Sequence, residues 1–169
     1  MKQNNIYLVG FMGCGKTSVL KKIKQKIQTN THDLDENIEN KHGSISKIFE
    51  SKGENYFRKI ELETFKMLPK NDSIVALGGG SLEIDNIYDD LKNNGFTFYL
   101  KDTFENLWNK IQTTERPLVK EGREKIYKLY QSRENRYDQS NYILDISDKK
   151  IKSITEIIIM NSWLKNETI

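Results

Sequence analysis

The octapeptide Gly10-Phe11-Met12-Gly13-Cys14-Gly15-Lys16-Thr17 has the spacing of a phosphate-binding P-loop, with glycines at both ends of a tight turn and then Lys and Thr. Such a loop offers backbone N–H groups to a polyphosphate. The Lys16 ammonium would reach the β- and γ-phosphates, and the Thr17 hydroxyl would ligate Mg²⁺. Other residues of the right chemistry stand further along the chain: Asp33 and Asp35, Arg58, Gly78-Gly79-Gly80, Arg116, and Arg133 with Arg136. Together these are the parts of phosphoryl transfer: a cradle, a metal site, a carboxylate for the acceptor and guanidinium groups for negative charge. The arginines exceed what ATP needs. They point to an acceptor that is itself an anion, because a guanidinium pairs with a carboxylate through two parallel hydrogen bonds. Each part alone has a plainer reading. Asp33 and Asp35 could be a solvated turn, and Arg58 could be the i,i+4 partner of Glu54. Arg116 could be a solvated loop charge, and Phe49 and Phe57 could be core. The joint occurrence in order carries the functional reading.

The elements that must position these groups follow from the apolar pattern. Ile6-Tyr7-Leu8-Val9 reads as a buried strand running into the loop, and Val19, Leu20, Ile23 and Ile27 recur at helical spacing after it. Asn30 to Asp35 carries a weak strand signal and places both aspartates at its end. Period-two alternation would then put the two carboxylates on the same side. Helices are predicted over 36–41 and 44–51, broken at Gly43. A longer helix opens at Gly53 and ends at Pro69, with Phe57, Ile60, Leu62, Phe65 and Leu68 as its apolar positions. Ser73–Leu77 is a buried strand leading into the triple glycine. A helix over 84–94 ends at Gly95, a C-cap signal. A strand over 96–100, a helix over 103–112, a polar loop over 113–124, a helix over 125–139, a strand over 142–146 and a helix over 150–165 complete the chain. Strands alternate with helices throughout, so the fold class is α/β, a parallel sheet covered by helices on both faces. Ligands in such folds sit beyond the carboxyl ends of the strands, where every polar group named above falls.

Composition sets the bounds. A chain of 169 residues suits one domain, 1–169, and 36% hydrophobic against 30% charged residues is globular with a polar surface. The net charge of +3 is spread along the chain, which argues against nucleic acid or an anionic membrane as partner. A single cysteine excludes a disulfide framework and indicates a reducing compartment. No signal peptide and no run of membrane-spanning length is visible, so the expected location is the cytoplasm. His32, His42 and Cys14 form no metal-ligand spacing.

With these residues in place, the sequence resembles the shikimate kinases. The likeness runs from Ile6 to about Ile146 and rests on six motifs in order: GFMGCGKT at 10–17, Asp-Leu-Asp at 33–35, Gly-Glu-x-x-Phe-Arg at 53–58, Gly-Gly-Gly at 78–80, Arg-Pro-Leu at 116–118, and Arg133-x-x-x-Tyr137. The resemblance implies a three-layer α/β/α P-loop kinase fold with a five-stranded parallel sheet in the order 2-3-1-4-5. It implies transfer of the ATP γ-phosphate to the 3-hydroxyl of shikimate, on the way to chorismate and the aromatic amino acids. It implies ATP binding by Gly13, Cys14, Gly15, Lys16, Thr17 and Ser18, with Lys110 and Arg116, and Mg²⁺ held by Thr17 and Asp33. The implied acceptor site is Asp35, Arg58, Glu61, Gly78, Gly79, Gly80 and Arg133. There Asp35 binds the shikimate hydroxyls and accepts the proton, Arg58 and Arg133 hold the carboxylate, and Glu61 orients the arginines. Catalysis would rest on Lys16, Asp35 and Arg116, the last swinging in on a lid over 113–124. Residues 35–68 would form the shikimate-binding subdomain, with Phe49 and Phe57 in its wall. The partners are then ATP and shikimate, and the chain is expected to be a monomer.

The sequence departs from the family pattern at several points. Asn30, Thr31 and His32 are more polar than a second strand usually is. Lys110 stands where the family often has an arginine that stacks on adenine. Cys14 replaces a small residue and is read as a filler. Glu115 stands beside Arg116 and could pair with it. Arg136 occupies a usually apolar position, and its expected partners are Asp138 or Glu134. Two other functions stand beside the main one: another small-molecule kinase of the same fold, such as a gluconate kinase, or a nucleotide-binding module without catalysis.

Overall fold

The computed structural model describes residues 3–166. Five strands alternate with helices: β1 (Ile6–Val9), α1 (Lys16–Lys26), β2 (Asn30–Asp33), α2 (Leu34–His42), α3 (Ile45–Lys66), β3 (Ser73–Ala76), α4 (Asp85–Asn94), β4 (Phe96–Lys101), α5 (Phe104–Ile111), α6 (Arg123–Tyr137), β5 (Tyr142–Asp145) and α7 (Ile151–Met160). The strands form one parallel sheet in the order β2-β3-β1-β4-β5. β1 lies at its centre, and all of its residues are buried, as a strand covered on both faces requires. β2 is an edge strand paired with β3 alone, and it is half-exposed. That explains its polar sequence: Asn30 is exposed and Thr31 and His32 are only partly buried, so backbone pairing with β3 rather than side-chain burial fixes the strand.

Three elements differ from the sequence reading. β2 ends at Asp33 instead of running on to Asp35. The Asp33 carboxylate caps α2, accepting from the backbone N–H of Asp35 at 3.1 Å and of Glu36 at 3.2 Å. Asp35 therefore lies in a helical first turn, and strand alternation does not relate the two side chains. The break expected at Gly53 is present: α3 is two helical stretches joined at a kink, where Gly53 takes the non-helical φ 80° and ψ 173°. The segment over 113–124 contains a 3₁₀ turn, Pro117–Glu121, because Pro117 presets the first φ and Val119 finds burial. The last helix stops at Met160. The Asn161 side chain donates to the Ile157 carbonyl at 2.7 Å, and the chain continues as a 3₁₀ turn, Trp163–Asn166, with the Trp163 indole donating to the Asn4 carbonyl at 3.0 Å.

Gly95 ends α4 as expected, but in an extended conformation, φ −119° and ψ 166°, that any residue can adopt. Its necessity is steric. A Cβ here would lie 2.6 Å from the Tyr7 ring. That ring is itself fixed, 6.0 Å from Phe65 and with its hydroxyl hydrogen-bonded to Asn5. Gly95→Ala therefore forces the ring or the strand start to move and should destabilise the protein by about 1–3 kcal/mol, the scale of an overpacked core. Urea denaturation monitored by tryptophan fluorescence checks this; an unchanged midpoint would show that Tyr7 has room to yield.

Candidate active site

Beyond the carboxyl ends of β1, β2 and β3 lies a cavity of about 460 Å³. The P-loop forms its floor. Gly15 takes φ 92°, a left-handed conformation, and begins α1 with no side chain capping the helix. The first-turn N–H groups are thus left to an external acceptor, and the positive end of the helix dipole favours an anion. The Lys16 ammonium folds over the loop and donates to the carbonyls of Gly10 at 2.6 Å and Phe11 at 3.3 Å. Cys14 is buried against it, with Sγ 3.6 Å from Nζ. Ser18 points to solvent on α1. Lys110 stands over Gly13, but its ammonium pairs with the buried carboxylate of Asp102 at 2.8 Å.

Thr17 and Asp33, the two residues expected to hold a metal, are in direct contact. The Thr17 hydroxyl donates to Asp33 Oδ2 at 2.5 Å, and its other carboxylate oxygen is taken by the α2 cap. A hydroxyl and a buried carboxylate, both hard oxygen donors, converge at the helix start; this donor chemistry fits Mg²⁺ rather than a softer metal. Asp35 lines the cavity beside them. Burial first, then the nearby charges of Glu61 and Asp33, push its carboxyl up from 3.8 to about 6, against the pull of Lys16 and Arg116.

The acceptor side is built by α3, the glycine loop and α6. Glu61 is fully buried. It accepts from Arg58 at 2.7 Å and from the Ser81 hydroxyl at 2.5 Å. Arg58 also pairs with Glu54 at 2.9 Å, so the plainer i,i+4 reading and the site reading are both realised. The glycine loop threads between these groups. A Cβ on Gly78 would lie 2.7 Å from Glu61 Oε1, one on Gly79 3.0 Å from the Met12 nitrogen, and one on Gly80 would fall inside the Arg58 guanidinium. Tyr137 donates to the Gly79 carbonyl and ties α6 to the loop. Phe49 and Phe57 line the wall in mutual contact, ring centroids 4.9 Å apart.

Of the two arginines on α6, Arg133 lines the cavity and is 3% exposed. Arg136 faces away, donating to the Leu82 carbonyl at 2.5 Å and to Asp85 at 2.6 Å. The expected partners, Glu134 and Asp138, are instead taken by Lys101. Arg116 reaches the cavity from the 113–124 segment, and among the described residues it forms no salt bridge, with Glu115 or any other. That segment touches the first half of α3 through Ser46 to the Glu115 carbonyl at 3.5 Å and Lys120 to Glu50 at 3.5 Å. Glu83 escaped the sequence reading. It holds Arg133, and no local signal in the sequence could have found it, because the need for a carboxylate appears only once Arg133 is buried.

A P-loop at the end of the central strand, sheet order 2-3-1-4-5, and a cavity with paired carboxylates on one side and arginines on the other define a P-loop kinase of the nucleoside-monophosphate-kinase type. Comparison with known proteins narrows the class. Residues 12–161 match the family model described as Shikimate kinase. The chain is 36% identical to a shikimate kinase of Clostridium botulinum (strain Eklund 17B / Type B), over 94% of this chain and 99% of the relative. It is 40% identical to that of Dictyoglomus turgidum, over 93% and 96%. A solved shikimate kinase from Acinetobacter baumannii in complex with shikimate superposes with a TM-score of 0.87 at 29% identity, covering 99% of this chain and 96% of that one. The chain belongs to the shikimate kinase family.

The raised Asp35 carboxyl has a consequence for stability. In the unfolded chain it ionises near 3.8, in the folded one near 6. Below the lower value it is neutral in both states. As pH rises through the folded value, the folded state carries a charge it disfavours, so stability is lost and stays lost above about pH 6. Asp35→Asn should therefore stabilise the protein by about 1–3 kcal/mol at pH 8 and by much less at pH 4.5. Denaturation of both proteins at the two pH values tests this; equal gains would mean that ionisation of Asp35 is not the cause.

Proposed function

We propose that this chain transfers the γ-phosphoryl group of ATP to the 3-hydroxyl of shikimate, giving shikimate 3-phosphate and ADP, in the route to chorismate and the aromatic amino acids. The observation that carries it is one cavity shared by an uncapped P-loop helix and, on the acceptor side, Arg58 and Arg133. Both arginines are held by carboxylates, which fixes them to receive an acceptor that brings a carboxylate of its own.

In this reading Gly13 to Ser18 hold the triphosphate through backbone N–H groups, and Lys16 exchanges the Gly10 and Phe11 carbonyls for phosphate oxygens. Thr17 and Asp33 hold Mg²⁺, Asp33 through water. The ion, when bound, neutralises charge on the β- and γ-phosphates. Asp35 orients the acceptor hydroxyls and takes the proton as the 3-hydroxyl oxygen bonds to γ-phosphorus and the bond to the ADP oxygen breaks. A carboxylate titrating near 6 is a stronger base than an ordinary aspartate and is still ionised at neutral pH. Gly78 to Gly80 offer backbone groups to the acceptor. Arg116 meets the transferring phosphoryl group, and Lys110 lies beside the nucleotide once it leaves Asp102. Residues 113–124 close as a lid over a subdomain spanning about 35–68, within a single kinase domain over 1–169. Water is then excluded and the site completed on closure. No helix among the described residues is long and apolar enough to cross a membrane. The single cysteine, Cys14, supports a reducing, cytoplasmic setting.

ADP release from the purified protein with ATP and Mg²⁺ should depend on shikimate and stay at background with gluconate or dTMP. Release that ignores the acceptor would remove this reading. The arginines give a finer test. Arg133→Ala removes one partner of a buried charged pair and should raise the shikimate KM by roughly two orders of magnitude, with little change for ATP. Arg136→Ala should alter either KM by less than about threefold, as for an exposed pair. The opposite pattern would exchange the two roles.

A further inference from the structure

Arg133 is almost wholly buried, yet it carries a full charge. A buried guanidinium needs a carboxylate, and among the described residues its salt-bridge partner is Glu83. The geometry of that pair is specific. One oxygen, Glu83 Oε2, accepts from Arg133 Nε at 2.9 Å and from Nη2 at 2.5 Å. These two nitrogens form one edge of the guanidinium plane. The other edge, between the two terminal nitrogens, remains for a second planar acceptor. No hydrogen bond to Arg133 Nη1 is formed among the described residues. The same Oε2 stands 3.7 Å from Arg58 Nη2, so both arginines of the acceptor side answer to one carboxylate oxygen.

Glu83 meets Arg133 outside the main cavity: it does not line that cavity but a smaller one, about 270 Å³, to which Arg133 also belongs. Its own position is fixed by the 3₁₀ turn that follows the glycine loop. Its N–H donates to the Gly80 carbonyl at 2.9 Å, and Ser81 of the same turn holds Glu61 at 2.5 Å. Glu61 in turn holds Arg58. The turn 81–83 thus controls both guanidinium groups, one through Ser81 and Glu61 and the other through Glu83.

We propose that Glu83 is a positioning residue for the acceptor carboxylate: it clamps Arg133 by one edge, leaves the other edge for that carboxylate, and sets the spacing from Arg58. The inference rests on the shikimate reading above. It assigns Glu83 no contact with substrate, so its effect must pass through Arg133.

The test measures shikimate KM, ATP KM and kcat for the full-length protein and for Glu83→Ala, Glu83→Gln, Arg133→Ala and the Glu83→Ala/Arg133→Ala double variant. A loosened guanidinium should raise the shikimate KM of Glu83→Ala on the order of tenfold or more, leaving ATP KM within twofold. Glu83→Gln keeps an oxygen acceptor at the right place but loses the counter-charge, and should raise the shikimate KM by less than Glu83→Ala does, with ATP KM unchanged; if Glu83→Ala fails to fold, that smaller, shikimate-selective rise in Glu83→Gln carries the same conclusion and a wild-type KM in it overturns the proposal. In the double variant, loss of Glu83 should add less than twofold to loss of Arg133. The preference for shikimate over its methyl ester, which lacks the anion, should shrink in Glu83→Ala. A fall in shikimate KM would instead make Glu83 a competitor for the substrate's place and overturn the proposal. So would an unchanged KM with lowered thermal stability, or full additivity in the double variant. Wild-type turnover of shikimate separates the two readings: without it the function itself falls, and with it a normal KM in Glu83→Ala removes the role of Glu83 alone.

Discussion

Glu61 is a carboxylate that solvent does not reach, and the acceptor half of the molecule is arranged around it. A buried charge is tolerated only when paired and fully hydrogen-bonded. Arg58, one turn earlier on α3, supplies the opposite charge, and Ser81 supplies a hydroxyl from the turn after β3. Meeting Glu61 from both sides draws the chain after β3 close against α3. The space left for that chain admits no side chain: a Cβ on Gly78 or Gly80 would strike Glu61 or Arg58. The triple glycine follows from the buried ion pair at least as much as from any need for loop flexibility.

The two halves of the site join at the end of β2. Asp33 caps α2 with one carboxylate oxygen and takes the Thr17 hydroxyl with the other. The start of α1 and the start of α2 are therefore fixed to one side chain, which sets the P-loop in relation to Asp35 in the first turn of α2. Asp35 sits between Asp33 and Glu61, and the repulsion of both adds to burial in holding its proton to about pH 6. The same crowding of carboxylates that costs stability makes that group a stronger base than an ordinary aspartate.

α6 is fastened to this frame at three points that alternate along its face. Arg133 pairs with Glu83, Arg136 with Leu82 and Asp85, and Tyr137 with the Gly79 carbonyl. All three reach the segment from the glycine loop to the start of α4. One short stretch of chain thus receives contacts from α3 on one side and α6 on the other, and the acceptor arginines inherit their rigidity from it.

Much of this was legible in the sequence. Strand and helix order and the P-loop follow from local spacing and apolar period, because each depends on neighbours in the chain or on a pattern fixed by backbone periodicity; that Asp35, Arg58, Glu61 and Arg133 belong to one site was implied by the family motifs alone. The resemblance, not periodicity, supplied the sheet order. What the sequence left open concerns partners distant along the chain. Strand alternation at Asp33 and Asp35 gave way to a cap, since two backbone donors at the start of α2 needed an acceptor. Arg136 turned to Asp85 because Lys101, remote in sequence, had already taken Glu134 and Asp138. Gly95 proved to be a matter of the Tyr7 ring, and Glu83 became visible only once a buried Arg133 was seen to need a counter-charge. A local pattern fixes which groups are present and which way an element faces. Which charges meet is decided by packing, because the energy of a buried pair depends on distances that only the folded chain defines.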